Sequence, residues 1–333
     1  MRRALLLVLC LMWALPCIAL ADMEIHFLNV GDADAAVIMC DGEVMIVDAG
    51  EPAHSQFIYS YLRNTLNIET VKYVVISHPH DDHIGGIPAV MNACKVETVL
   101  SPVVYYPGEP FEDVLRIAQE QQVSFLVANL GDVLTVGGAE CHVVAPLKTT
   151  TNINDLSIVM LIEYGETRFL FTGDIEKNSE EVLVNSWEDI RADVLKVAHH
   201  GRDTSSTHTF LRVVDADYYV VSGGSNLTKN VRERLDASGG AVYVTEEVGT
   251  ILCQSDGKEI TFTFKDTKKA LDQTTNDESQ GTDIYYVGNV RSKKYHLHWC
   301  DSVKTMAEKN RVVFDTRQEA LDNGYTGCGT CKP

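Results

Sequence analysis

From Met23 onward the chain alternates short apolar runs with turn residues, the rhythm of a β-rich protein carrying helices between its strands. Residues 35–40 and 44–48 are apolar runs of strand length, and the Asp41-Gly42 step between them signals a hairpin. Residues 55–66 place apolar side chains at helical spacing and predict an amphipathic helix; 71–76 then reads as a buried strand, and 110–121 as a second helix. Residues 157–164 and 168–172 flank Gly165-Glu166 as a further hairpin. Three more strands are predicted at 192–198, 218–222 and 241–245, and 250–254 pairs with 260–264 across Ser255-Asp256-Gly257. Hairpins mixed with intervening helices predict an α/β protein with two sheets flanked by helices.

Both ends of the chain depart from this rhythm. Residues 1–21 join Arg2 and Arg3 to a short apolar stretch and a small-residue Ala19-Leu20-Ala21 site. That is the form of a cleaved export signal, and it predicts a secreted protein with no stable membrane span after cleavage. Residues 266–283 are polar, charged and without apolar period, which predicts a linker. The expected organisation is therefore a leader (1–21), a main domain (22–265), the linker (266–283) and a small module (284–333) too short to fold on its core alone.

Charge sharpens the division. Of a formal −19, residues 286–333 contribute eight Lys and Arg against five Asp and Glu, whereas 22–285 carry eighteen against forty-two. So acidic a body repels polyanions at long range and argues against broad non-specific nucleic-acid binding, though not against a local site.

The chemistry concentrates in Ser77-His78-Pro79-His80-Asp81-Asp82-His83, where a buried strand gives way to the glycine turn Gly85-Gly86. Three imidazoles and a carboxylate within six residues suit zinc, iron or manganese better than calcium or magnesium. So many donors on one turn suit two adjacent ions: His78 and His80 for the first, Asp82 and His83 for the second. Phe171-Thr172-Gly173-Asp174 and Ala198-His199-His200-Gly201 each end a predicted strand, as does Asp48.

The His-x-His-x-Asp-His string resembles the signature of the metallo-β-lactamase superfamily. That resemblance implies an αββα sandwich with the site at the edge of both sheets. It implies Asp174 as the carboxylate bridging two metals and a last histidine ligand at the 199–200 pair. His200 is favoured as that ligand, with His199 facing the substrate; either His199 or a metal-bound water is then the proton donor to the leaving group. Asp48 matches the superfamily's first motif and is expected to orient the ligands, with Asp34 in a like supporting role.

Residues 23–264 more closely resemble the hydrolase domain of ComEC-type DNA-uptake competence proteins. The strings that carry this are Phe27-Leu28-Asn29-Val30-Gly31-Asp32-Ala33-Asp34-Ala35, Asn154-Asp155-Leu156-Ser157, Arg168-Phe169-Leu170-Phe171-Thr172-Gly173-Asp174 and Asp193-Val194-Leu195-Lys196-Val197. This implies a metal-dependent hydrolase of phosphodiesters, with extracellular DNA or a related ester as substrate, and Asp82, Asp174 and His199 as its catalytic residues. The chain departs from the pattern twice. His142, in mid-strand, is the only histidine between the first motif and Asp174, and Ser222-Gly223-Gly224-Ser225-Asn226-Leu227-Thr228-Lys229 replaces a Gly-His-Pro segment.

At the C-terminus, His296-Leu297-His298-Trp299-Cys300 and Cys328-Gly329-Thr330-Cys331 offer His296, Cys300, Cys328 and Cys331 to one structural zinc. A disulfide between two of these cysteines is the competing reading. The segment resembles the zinc domain of Ada-type DNA repair proteins, with His296 where that domain has cysteine. The remaining histidines, His26, His54, His142 and His208, are expected to be structural. Two other functional readings compete: hydrolysis of another ester or amide (a lactam, a lactone or choline phosphate), and a DNA-binding protein whose hydrolase domain is inert.

Overall fold

The computed structural model describes residues 23–145, 150–186, 189–265, 285–298, 300–314 and 317–328. The expected leader and linker lie outside the described residues, as does Cys331. Nineteen strands are described: β1 (Met23–Phe27), β2 (Ala35–Cys40), β3 (Glu43–Ala49), β4 (Thr70–Val75), β5 (Lys95–Ser101), β6 (Ser124–Val127), β7 (Val133–Val136), β8 (Ala139–Ala145), β9 (Val159–Tyr164), β10 (Thr167–Phe171), β11 (Val194–Lys196), β12 (Tyr218–Val221), β13 (Ala241–Val244), β14 (Thr250–Ser255), β15 (Ile260–Lys265), β16 (Tyr286–Asn289), β17 (Lys294–Leu297), β18 (Arg311–Phe314) and β19 (Thr326–Gly327).

They form an eight-stranded sheet ordered β15-β14-β1-β2-β3-β4-β5-β6, a seven-stranded sheet ordered β13-β12-β11-β10-β9-β8-β7, and a separate four-stranded sheet ordered β18-β16-β17-β19. Period-two alternation explains why the two large sheets pack face to face. Met23, Ile25, Phe27, Ile38 and Met45 point to one side, where they meet Met160, Ile162, Phe169 and Phe171 of the opposite sheet. Phe27 and Phe171 stack across the interface with ring centroids 5.6 Å apart. The intervening positions, such as Val37 and Ile46 on one sheet and Leu170 and Leu195 on the other, pack against helices on the outer faces. Four layers result, helix–sheet–sheet–helix, as the sequence predicts.

The predicted helix at 55–66 is present, but its second half, Tyr61–Thr65, widens into a π turn closed by Leu66 N donating to Tyr61 O at 2.9 Å. The strand expected at 192–198 is confined to Val194–Lys196. Helical bonding ends it, because the chain turns at once into Ala198–Gly201.

Strand direction positions the site. β3 and β4 run parallel in the first sheet, and β10, β11 and β12 run parallel in the second. Their carboxyl ends deliver Asp48, Ser77-His78, Asp174 and His199-His200 to one edge of the sandwich, the edge of an α/β sheet where ligands bind. Ile158 N donates to Ser77 O at 2.8 Å and so stitches the two sheets together there.

Candidate metal centre

Gly173 makes the approach of the two sheets possible. It lies at φ +51°, and a Cβ there would fall 2.7 Å from Ser157 Oγ and 3.0 Å from Ser77 Cβ. With that space free, Ser157 Oγ accepts from Asp174 N at 3.0 Å and lies 3.4 Å from His78 Nδ1. Ser77 Oγ sits between His78 Nδ1 (3.1 Å) and His83 Nδ1 (3.2 Å). Asp48, itself at φ +56°, accepts from Ser77 N at 2.8 Å and faces His83 Nδ1 at 2.9 Å. With Nδ1 of both histidines so occupied, each presents Nε2 to the interior of the site.

The donors then converge. One ligand atom each of Asp82, His83, Asp174 and His200 lies within 4.8 Å of the others. Asp174 Oδ2 is 3.4 Å from His83 Nε2, 3.6 Å from His200 Nε2 and 3.8 Å from both His78 Nε2 and His199 Nε2. Asp82 Oδ2 is 3.3 Å from His200 Nε2. On the neighbouring side His78 Nε2 and His80 Nδ1 face each other across 2.9 Å. His83 Nε2, Asp174 Oδ1 and His200 Nε2 are buried without a hydrogen-bond partner. Orphaned buried polar atoms are costly and rare, and three of them aimed into one nitrogen- and oxygen-lined space fit a transition-metal cation.

Charge in the site has the same cause. Burial disfavours a charged His83, yet Asp174 and Asp48 together hold its imidazole well above the ordinary range. Burial likewise opposes ionisation of Asp174 and Asp82, but the adjacent histidines hold both carboxyls low. His78, buried and beside His83, is pushed well down. Below its raised pKa, His83 therefore keeps a proton that an incoming metal must displace. We expect metal affinity to rise with pH through the neutral range, by about tenfold per unit for each proton displaced. Chelator competition at pH 6 and pH 8 measures this, and equal affinities would contradict it.

The two adjacent histidines divide. His200 is 1% exposed and lies among the four donors. His199 is partly exposed; its Nδ1 lies 2.9 Å from Thr204 Oγ1 and 3.7 Å from Glu176 Oε1, while Nε2 points toward Asp174. Both adopt left-handed backbone (φ 54° and 53°), a strain of about 1–3 kcal/mol each that the surrounding structure must hold. His199 N donates to Gly173 O and Thr228 N to Gly201 O, which ties the turn down. His142 stays outside the centre, paired instead with Glu163 at 3.4 Å and Glu140 at 3.6 Å. The His78–His80 side accordingly offers two histidines, with Asp174 Oδ2 3.8 Å from His78 Nε2.

Of the isolated histidines, His26 is buried against Tyr61 Oη at 3.1 Å and His208 opens the helix His208–Val214. Sequence reasoning assigned no role to Ser77, Ser157, Glu176, Lys196 or Thr204. Ser157 and Lys196 lay within recognised strings, but their partners are far away in the chain. Because Asp48 orients His83, Asp48→Asn is expected to weaken binding at the Asp82–His83–His200 side by about 10–100-fold. Metal titration of the variant checks this.

The C-terminal module also brings donors together. His296, Cys300 and Cys328 are buried, with ligand atoms within 4.8 Å of one another.

One family model and three curated relatives match the chain. The model for the metallo-β-lactamase superfamily matches residues 29–224. ComE operon protein 3 of Bacillus subtilis is 27% identical over 237 residues, covering 66% of this chain and 30% of that protein. Competence protein ComA of Neisseria gonorrhoeae is 26% identical over 232 residues, 67% of this chain and 31% of that one. A ribonuclease Z of Chlamydia trachomatis is 34% identical over 85 residues, 25% of this chain and 27% of the relative. The chain thus spans less than a third of the length of these curated relatives.

Proposed function

The chain belongs to the metallo-β-lactamase superfamily, and from that premise we propose that it is a binuclear metal-dependent phosphodiesterase acting on DNA or a related phosphodiester. The observation that carries the proposal is the convergence of unpartnered Nε2 and Oδ1 atoms of His83, His200 and Asp174 beside the His78–His80 pair. In this reading His78 and His80 hold one ion, Asp82, His83 and His200 hold the other, and Asp174 serves both. Two divalent ions, zinc or manganese, would supply a nucleophile from water at neutral pH and neutralise charge on the phosphoryl oxygens.

The protein's own residues do the rest. Asp48 and Ser77 keep Nε2 of His83 inward, and Ser157 fixes the backbone that carries Asp174. His199, oriented through Thr204, presents its Nε2 beside Asp174, where it can pass a proton to a leaving alkoxide. Burial lowers the His199 pKa, partly offset by Asp174, so near pH 7 only its minority protonated form can make that transfer. The mouth is acidic: burial raises the Glu51 carboxyl, and Asp82, Asp81 and Asp32 nearby raise it further. Bound cations would reverse that field locally and favour an anionic scissile group. The relatives named for competence and for ribonuclease Z support nucleic acid as the substrate class. Export through residues 1–21 would place that substrate outside the cell.

The test uses metal-stripped protein restored with Mn²⁺ or Zn²⁺ and offered labelled single- and double-stranded DNA, bis(p-nitrophenyl) phosphate and a β-lactam. Metal-dependent cleavage of DNA or of the model diester supports the proposal. Turnover of the lactam alone would replace it with a C–N hydrolase. Cleavage of the model diester without DNA would point to a small phosphoester such as choline phosphate, which the acidic mouth favours.

A further inference from the structure

Behind the metal donors lies a second layer of charge. Asp34 and Asp48 are buried, and a carboxylate oxygen of each lies within 4.8 Å of the other and of a His83 nitrogen. Two carboxylates so close repel one another, and removal from water strengthens the repulsion. His83 answers Asp48 at 2.9 Å. Asp34 is answered by Lys196, a lysine only 4% exposed whose Nζ is 2.8 Å from Asp34 Oδ1 and donates to Val197 O at 3.1 Å.

The same Asp34 oxygen lies 3.4 Å from His200 Nδ1, an atom with no hydrogen-bond partner of its own. Asp34 is also tied to the metal loop through its backbone: its N–H donates to Asp82 O at 3.1 Å, and its carbonyl accepts from Gly50 N at 2.7 Å. Asp34, Asp48, Lys196 and Ser222 together line part of one small cavity of about 10 Å³. The arrangement is thus doubled. Asp48 backs His83, and Asp34 backs His200; only the second carboxylate needs a cation that is not itself one of the donors.

We propose that Lys196 is a positioning residue for the Asp82–His83–His200 side of the metal centre. It is a fixed buried cation that keeps Asp34 against His200 Nδ1, so that His200 presents Nε2 to the metal. A merely structural lysine would stabilise the fold without changing how one particular ion is held. The inference rests on the binuclear reading above.

The experiment titrates the full chain, stripped of metal, with Co²⁺, whose thiolate charge-transfer band reports the cysteine module separately from the His/Asp centre. In the wild type two ions enter the His/Asp centre. In Lys196→Met one of the two is held about 10–100-fold more weakly, while the other ion and the module are unchanged. Lys196→Arg recovers most of that loss, Asp34→Asn reproduces it, and the Asp34→Asn/Lys196→Met double variant is no weaker than either alone. Wild-type affinity for both ions in Lys196→Met overturns the proposal. If Lys196→Met does not fold, Asp34→Asn decides: two tightly held ions there overturn it equally. A wild-type centre that takes fewer than two ions overturns the binuclear reading and this inference with it, whereas two ions held with equal affinity in wild type and variants overturns this inference alone.

Discussion

Replacing Asp174 with alanine is expected to lower kcat/KM for a phosphodiester by on the order of 10³-fold or more, with most of the loss in kcat. The expectation follows from how many donors depend on one carboxylate. Asp174 Oδ2 lies within 3.8 Å of nitrogens from His78, His83, His199 and His200, which come from both sheets. No other acid among the described residues occupies that central position. Without it, two cations in one buried space would lack the shared anion between them, and Nε2 of His83 and of His200 would keep only Asp82 as a counter-charge. The fold itself should persist. The bond that seats this turn is made by the Asp174 backbone N–H to Ser157, and it survives the substitution. Asp174→Asn, which keeps the volume and removes the charge, should lose activity similarly and so separates lost charge from a lost fit. Metal content measured beside the rate completes the argument. Ion binding below two per His/Asp centre together with the lost rate is expected; a variant that keeps a tenth of wild-type activity would mean that Asp174 is not shared between ions.

Much of this centre was legible in the chain because its donors are local. His78, His80, Asp82 and His83 occupy one turn, so their spacing alone announces a metal. The sandwich was legible too, since runs such as residues 35–40 and 44–48 are apolar at strand length on both faces, as strands buried between another sheet and a helix layer must be. What orients the donors was not legible. Ser157 reaches His78 across 79 positions, and Asp34 meets Lys196 across 162. Such partners exist only once two sheets have packed, and a serine or lysine at a strand end has no period or spacing to mark it. The strained turn at His199 and His200 was equally hidden. Left-handed backbone in two consecutive histidines runs against intrinsic preference, and tertiary hydrogen bonds enforce it. The π turn at Tyr61–Thr65 shares that origin in tertiary context, since a helical apolar pattern does not distinguish a π turn from an α turn.

Cys300→Ala is expected to unfold the C-terminal module while leaving the His/Asp centre loaded and active on a small phosphodiester. The described part of the module has a core of few residues, chiefly Tyr286, Tyr295, Leu297, Phe314 and Tyr325, and so small a core cannot offset the entropy of ordering its chain. A structural metal held by the His296–Cys300–Cys328 cluster would supply the remainder. The parallel pairing of β17 with β19 sets Tyr295 opposite Gly327, and Cys328 N donates to Tyr295 O at 2.9 Å, which brings Cys328 beside His296. Cys300 N donates to Leu297 O at 2.9 Å and returns the third donor to the same point. Burial, reinforced by Lys294, lowers the His296 pKa and so keeps its imidazole neutral and ready to ligate at pH 7. Structural zinc contributes about 10–16 kcal/mol in small domains, against about 5–15 kcal/mol for the whole stability of an ordinary one. Losing a ligand should therefore empty the folded state of the module rather than merely weaken it. The module also rests on the main domain, where Arg317 pairs with Glu120 of the helix Glu109–Gln121 and Tyr59 packs against the module's core. Limited proteolysis should cut the variant after residue 285 and spare the wild type, and metal analysis should find one zinc fewer per chain. Reagents then separate zinc from a disulfide. A chelator without reductant should open the module if zinc holds it, and a reductant without chelator should open it if two cysteines are bonded. His296, Cys300 and Cys328 lie buried with their ligand atoms within 4.8 Å of one another, so the chelator is the reagent expected to act, and opening by reductant alone would reverse the assignment.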